Sequence, residues 1–159
     1  MKFNKLSTII IDMKYEVDQS GRIEETNRHT IISVASKDYS YTLKIDSKIK
    51  RLIQKKFQNI GKPKMFGIYG FVSGLIILLK KSKVKDSVVI IDIEYDGHNK
   101  VITNELIKNT NQNLEFRFAN IGKKSPAHKK AYIVFKKYDK PNYKIGLIEF
   151  EKLIMKMVK

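Results

Sequence analysis

Residues 87–95 are Ser87-Val88-Val89-Ile90-Ile91-Asp92-Ile93-Glu94-Tyr95, a continuous apolar run that ends in acids. A run of this kind reads as a strand buried on both faces. Its segment Val89–Asp96 has a counterpart near the start of the chain, Ile9-Ile10-Ile11-Asp12-Met13-Lys14-Tyr15-Glu16. Each copy is an apolar run closing in Asp, with Tyr three residues later and an acid after it. Two similar core strands account for this as readily as a repeat does.

Outward from these two runs the chain divides into alternating elements. STIIIDMKYEV (7–17), HTIISVAS (29–36) and SYTLKID (40–46) are β-branched and joined by short links, which predicts an antiparallel meander. The polar segment between Val17 and Arg28 reads as a long loop, opened by the turn signal DQSG. Ser47 offers an N-cap, and Ile49, Leu52, Ile53 and Phe57 recur at helical spacing, with Lys48, Arg51 and Lys55 on the opposite face. Between Lys64 and Lys80 lie fifteen uncharged residues, MFGIYGFVSGLIILL. That is short of the ~20 residues a membrane span needs, so a buried core helix is expected, and no membrane. Gly67, Gly70 and Gly74 share one face of it and admit a close neighbour, either another element or a partner such as a second copy of the chain. After the 87–95 strand come a short helix (98–109), a strand (114–122), a helix opened by Ser125 and Pro126 whose apolar stripe is Ala127, Ala131, Val134 and Tyr138, and a terminal helix (146–159). The order predicts a single α/β domain over residues 1–159 with a mixed sheet.

Charge is unevenly placed. The 159 residues carry 32 basic and 16 acidic side chains, a net charge of +16. From Ser47 to Lys85 there are eleven bases and no acid, and from Phe116 to Tyr138 seven bases and no acid. A surplus of this size costs self-repulsion unless an anionic partner uses it, and nucleic acid is the usual one. Lysine dominates and only four arginines are present, which favours diffuse attraction to phosphate over base reading.

Acids inside apolar strands are costly unless paired or bound to metal. Period two sets Asp12, Lys14 and Glu16 on one face, and Asp92, Glu94 and Asp96 on one face. If the two strands are neighbours, Asp12 converges with Asp92 or Glu94. Converging carboxylates repel, and a divalent cation resolves the repulsion while leaving room for phosphate.

The order of elements, with acids on the first and fourth strands, resembles the RNase H-like superfamily, and within it the RuvC-type resolvases. The resemblance covers residues 7–139 and rests on topology and a few positions. It implies a mixed five-stranded sheet, three strands antiparallel and then two parallel, flanked by helices. It also implies Asp12 as the first-strand ligand, Glu94 or else Asp92 as the fourth-strand ligand, and His128 as the helix ligand. Mg²⁺ or Mn²⁺ would be the cofactor and phosphodiester hydrolysis in DNA or RNA the activity. Lys123, Lys124, Lys129 and Lys130, with Arg51 and Lys55, would hold the nucleic acid. The sequence departs from the family pattern at position 131, where Ala131 stands in place of an acid, and in the acid-free helix 47–60. A non-catalytic nucleic-acid-binding module of the same fold is the rival reading.

Other chemistries are poorly matched. No Walker or dinucleotide glycine loop is present, no Ser or Cys nucleophile signature appears, and three dispersed histidines form no zinc pattern. His98 is open between a proton-transfer group and a helix cap, and His29 reads as structural. Cysteine is absent and the first residues lack a signal-peptide core, so a cytoplasmic location is the expectation.

Overall fold

The computed structural model describes residues 13–158. Their elements are β1 (Lys14–Ser20), β2 (Thr30–Ala35), β3 (Ser40–Ile45), α1 (Ser47–Asn59), a 3-10 turn (Pro63–Met65), α2 (Phe66–Lys81), β4 (Ser87–Asp92), α3 (Asn99–Asn109), β5 (Leu114–Ala119), α4 (Pro126–Phe135), β6 (Tyr143–Lys144) and α5 (Leu147–Met157). The strands form one mixed sheet in the order β5-β4-β1-β2-β3-β6. β1, β2 and β3 pair antiparallel, as short links between them require. β4 lies parallel to β1, and β5 parallel to β4, each reached through helices.

The sheet has six strands, not the expected five. The sixth is a two-residue parallel addition to β3, pairing Tyr143 with Leu43 and Lys144 with Lys44. It is too short to leave a period-two signal. Side-chain bonds hold it instead: the Thr42 amide donates to Asn142 Oδ1 (2.8 Å) and the Asn142 amide to Thr42 Oγ1 (3.1 Å).

Alternation divides the sheet into two unequal faces. Val17, Ile32, Val34, Leu43, Ile45, Val89 and Ile91 point into a large core with α1, α2, α3 and α5. The other face carries a small cluster of Ile31, Ala131 and Val134 under α4. Ala127 and Ala131 are fully buried, and their small size lets α4 sit close to β1 and β2. α2 is the centre of the large core, with thirteen of its sixteen residues buried. Each fully buried Leu, Ile or Phe there contributes roughly 1.5–3 kcal/mol. Its glycine face is used within the chain. A Cβ on Gly70 would lie 2.5 Å from Ile23 Cγ2, and one on Gly74 2.7 Å from Ile32 Cδ1.

Three further expectations are corrected. β1 continues past Val17 to Ser20, so Asp18 and Gln19 belong to the strand and not to a loop. α4 ends at Phe135, and Tyr138 is 78% exposed instead of joining its apolar stripe. The chain turns out there because Lys137 takes a left-handed φ of 65°, with the Lys137 amide donating to Val134 O and the Tyr138 amide to Ile133 O. Lys50, one of the bases in the first acid-free stretch, is fully buried. Its ammonium spends all three protons on Arg22 O (3.0 Å), Glu25 O (2.7 Å) and Thr30 Oγ1 (2.9 Å), pinning the loop between β1 and β2. Burial pulls its pKa down to about 8.

Candidate metal centre

Two parallel neighbours bring acids to the same place. The β1–β4 register sets Val17 beside Ile91, and one further step sets Asp18 beside Asp92. Both then point away from the large core, toward α4. Glu94 lies two residues beyond Asp92, past the end of β4. One oxygen from each of Asp18, Asp92 and Glu94 falls within 4.8 Å of the others, so the three could hold a metal ion. The hollow they share has a volume of about 280 Å³ and is also lined by Ile121, Lys123 and His128.

Each carboxylate is fixed separately. Asp18 is buried and accepts from the Gln19 amide (2.9 Å) on one oxygen and from His128 Nδ1 (2.7 Å) on the other. Asp92 accepts from the Ile121 amide (3.0 Å) in the β5–α4 link. Glu94 is held through its backbone: Arg22 Nη2 donates to the Glu94 carbonyl (3.0 Å). That guanidinium lies 5.0 Å above the Tyr95 ring and pairs with Glu24 (3.1 Å). Tyr95 O–H in turn donates to Glu24 (3.1 Å). The loop that Lys50 pins is therefore also the loop that positions Glu94.

α4 approaches the acids with its N-terminus. Ser125 caps the helix by accepting from the Ala127 amide (3.1 Å), and its hydroxyl donates to Glu16 (2.8 Å). This sets His128, in the first turn, against Asp18, and aims the positive end of the helix dipole at the acidic face.

The electrostatics describe a site short of positive charge. Burial, and then the neighbouring Asp18 and Asp92, push the Glu94 carboxyl up to about 7. Asp18 is also raised, chiefly by burial, with the His128 hydrogen bond opposing. Either a proton or a cation relieves such a cluster.

The expected site residues are partly gathered here. Asp92, Glu94 and His128 meet. Asp12 lies outside the described residues, and the first-strand acid opposite Asp92 is Asp18. The internal likeness that aligns Asp12 with Asp92 slips six residues against the β1–β4 register. An even slip keeps the correct face and moves the position. The available signal was local: Asp18 follows Glu16 with apolar Val17 between them, an alternation that continues the strand. His128 is the hydrogen-bond partner of Asp18 through Nδ1 and is not one of the three converging ligand groups. His98 stands at the start of α3 with no side-chain cap bond. His29 Nε2 bonds Phe135 O (3.1 Å), and its ring packs on Phe135, as a structural residue does.

The expected nucleic-acid contacts are scattered. Lys123 lines the acidic hollow, and Lys124 is exposed beside it. Lys129 and Lys130 face a separate cavity of about 340 Å³ that they share with Lys37 of the β2–β3 hairpin, and Lys130 also pairs with Asp139 (2.7 Å). Arg51 donates to Thr26 O (3.0 Å), and Lys55 is exposed on α1, which packs on the opposite face of the sheet. No family model matches this chain, and no curated protein or solved structure matches it either.

Proposed function

We propose that this chain is a divalent-metal-dependent nuclease of RNase H-like architecture, hydrolysing phosphodiester bonds in DNA or RNA. The observation that carries the reading is the convergence of Asp18, Asp92 and Glu94 at the ends of two adjacent parallel strands. An α/β fold with one mixed sheet, its first three strands antiparallel and β4 and β5 parallel to β1, supports the reading, although a sixth strand is added. The helix after β5 brings His128 against Asp18 as a hydrogen-bond partner, where the resemblance implies a metal ligand.

Three carboxylates with no cation among their lining side chains except Lys123 suit a hard ion such as Mg²⁺ or Mn²⁺. A bound ion supplies charge to neutralise phosphate oxygens and to acidify water. The residues do the rest. Asp18, Asp92 and Glu94 hold the ion, His128 orients Asp18, the Ile121 amide orients Asp92, and Arg22 fixes the backbone of Glu94. His128 Nε2 is left to exchange a proton with the reacting groups. Lys123 attracts the phosphate backbone to the rim.

The test is Mn²⁺-dependent cleavage of plasmid and oligonucleotide substrates. Asp18→Asn brings cleavage to background while circular dichroism and Tm show an intact fold. Metal-dependent cleavage retained by that variant would overturn the proposal. A second reading, a binding module that does not cut, is favoured by the buried Ala131 where the resemblance calls for another acid. It expects salt-sensitive binding indifferent to EDTA and to Asp18→Asn.

A further inference from the structure

Tyr132 and Tyr138 are the two exposed aromatic side chains among the described residues, at 48% and 78%. Both fall in the second acid-free stretch, one on α4 and one just beyond it. Neither belongs to the buried stripe of Ala127, Ala131 and Val134 that seats α4 on the sheet. Packing therefore does not account for either ring.

Tyr132 stands beside the acidic hollow. His128, which lines that hollow, lies four residues earlier on the same helix. Residues at that spacing are neighbours on one helix face. They are separated by about 6 Å along the axis at ~1.5 Å per residue. The ring and the carboxylates thus share the α4 side of the sheet. Lys136, four residues further along the same line, holds its Nζ 5.7 Å from the Tyr132 ring centroid. Tyr138 follows at the far end of the helix, where its amide bonds Ile133 O. The carboxylate next to it, Asp139, is taken by Lys130 (2.7 Å). Among the described residues, Lys123, Lys124, Lys136 and Lys137 form no ion pair.

We infer that α4 and the turn after it form a platform for a single-stranded polynucleotide. Its bases stack on Tyr132 and Tyr138, and its phosphates meet the free lysines. The inference deepens the nuclease reading and rests on it for one consequence, that unpaired strands are the substrate class of the acidic centre. Every base has a face that can stack on tyrosine, and basic surfaces set with aromatic rings hold single strands without reading their sequence. In a duplex those faces are covered by neighbouring bases, so the rings would gain nothing from it. From His128 to Phe135 the helix offers about 10 Å at ~1.5 Å per residue, room for about three stacked nucleotides at ~3.4 Å each.

The experiment is fluorescence anisotropy in EDTA with labelled oligothymidine and oligouridine of about 12 nucleotides, a duplex of the same length, and heparin, a polyanion without bases. The wild-type chain is expected to bind the single strands more tightly than the duplex at equal salt. Tyr132→Ala/Tyr138→Ala is expected to bind single strands at least about tenfold more weakly with an unchanged salt slope, because stacking releases no counterions. Its affinity for duplex and heparin should not change. Tyr132→Phe/Tyr138→Phe keeps the rings and should keep wild-type affinity. Lys124→Ala/Lys136→Ala gives the complementary result, a salt slope lower by about 1.4 at ~0.7 per phosphate. Both rings are exposed, so an unchanged Tm is expected to show each variant folded. An alanine variant that binds single strands like the parent overturns the inference. So does one that loses heparin as strongly as strands, or a wild-type chain that prefers the duplex. Binding to phosphatidylserine vesicles without affinity for strands assigns the platform to a lipid surface and overturns it too. In Mn²⁺ the alanine variant should raise KM for single-strand cleavage about tenfold with kcat unchanged. Because binding is read in EDTA, absence of cleavage overturns the nuclease reading and leaves the platform standing, and absence of stacking leaves the nuclease reading standing.

Discussion

Replacing Glu94 with Gln removes a charge that the apo protein is strained to carry. Glu94 is half-buried, and oxygens of Asp18 and Asp92 lie within 4.8 Å of one of its own. Burial first, and those neighbours second, move its carboxyl from the usual 4.5 to about 7. A carboxyl whose pKa rises on folding contributes stability below its unfolded value. That stability is lost as the pH climbs through the folded value, here between 4.5 and about 7. The full difference corresponds to roughly 3 kcal/mol at ~1.4 kcal/mol per pH unit. Solvent reaches this half-buried side chain, and screening reduces the figure to roughly 1–2 kcal/mol.

Gln keeps the shape and cannot ionise. In EDTA at pH 8, Glu94→Gln is therefore expected to melt higher than the parent by roughly 3–6 °C, and below about pH 4, where the carboxyl is protonated in both states, the two should melt together. Saturating Mn²⁺ should reverse the order. The parent gains about 2.7 kcal/mol when the ion is at a hundred times its Kd, and the variant, having lost a ligand, gains little. Differential scanning calorimetry at the two pH values, with and without Mn²⁺, reads all four arms. A variant less stable than the parent at pH 8 in EDTA would refute the reasoning. It would mean that the three carboxylates do not crowd one another, and with that the case for a cation among them would fall.

Two other changes probe the supports of the site. Arg22→Ala frees the Glu94 carbonyl from its 3.0 Å bond and should weaken Mn²⁺ binding about tenfold by calorimetric titration, with little change in Tm. Unchanged affinity would reduce Arg22 to a surface residue. Gly70→Ala places a Cβ 2.5 Å from Ile23 Cγ2. Overpacking of about 1–3 kcal/mol then outweighs the ~1 kcal/mol that Ala gains over Gly in a helix. The urea midpoint should fall with the m-value unchanged, and a rise in the midpoint would show that the helix and loop are not in contact there.

What the sequence made legible follows from where burial is strongest. β4 and α2 are covered on all sides, so their apolar runs stand out, and acids at the end of β4 could be recognised as out of place. The N-terminus of α4 was legible because Ser125 and Pro126 mark a helix start chemically, and His128 came with it. Asp18 was missed for a matching reason. Gln19, Ser20 and Gly21 look like a turn, and only the β2 neighbour, which pairs Asp18 with Ser33, Gln19 with Ile32 and Ser20 with Ile31, carries β1 on to Ser20. Lys50 was missed because a buried lysine has the same letter as an exposed one. Its three acceptors come from a loop whose path the local pattern does not specify.

The same loop changes what the basic surplus means. Read along the chain, two acid-free stretches appear to enclose an acidic centre. In the fold, the first stretch is divided: Lys50 is buried as a loop anchor, Arg51 is tied to Thr26 O, and Lys80 to Lys85 lie at the far end of β4. Only Lys123 of the second stretch lines the acidic hollow, while Lys129 and Lys130 turn toward the β2–β3 hairpin. Charge arranged in this way does not ring the carboxylates, and so it does not cancel their repulsion, which a proton or a cation can relieve. It lies apart from them along the strand direction. On the proposed reading, the acidic centre and the basic surplus therefore answer to different variables: metal concentration and pH for the first, salt for the second.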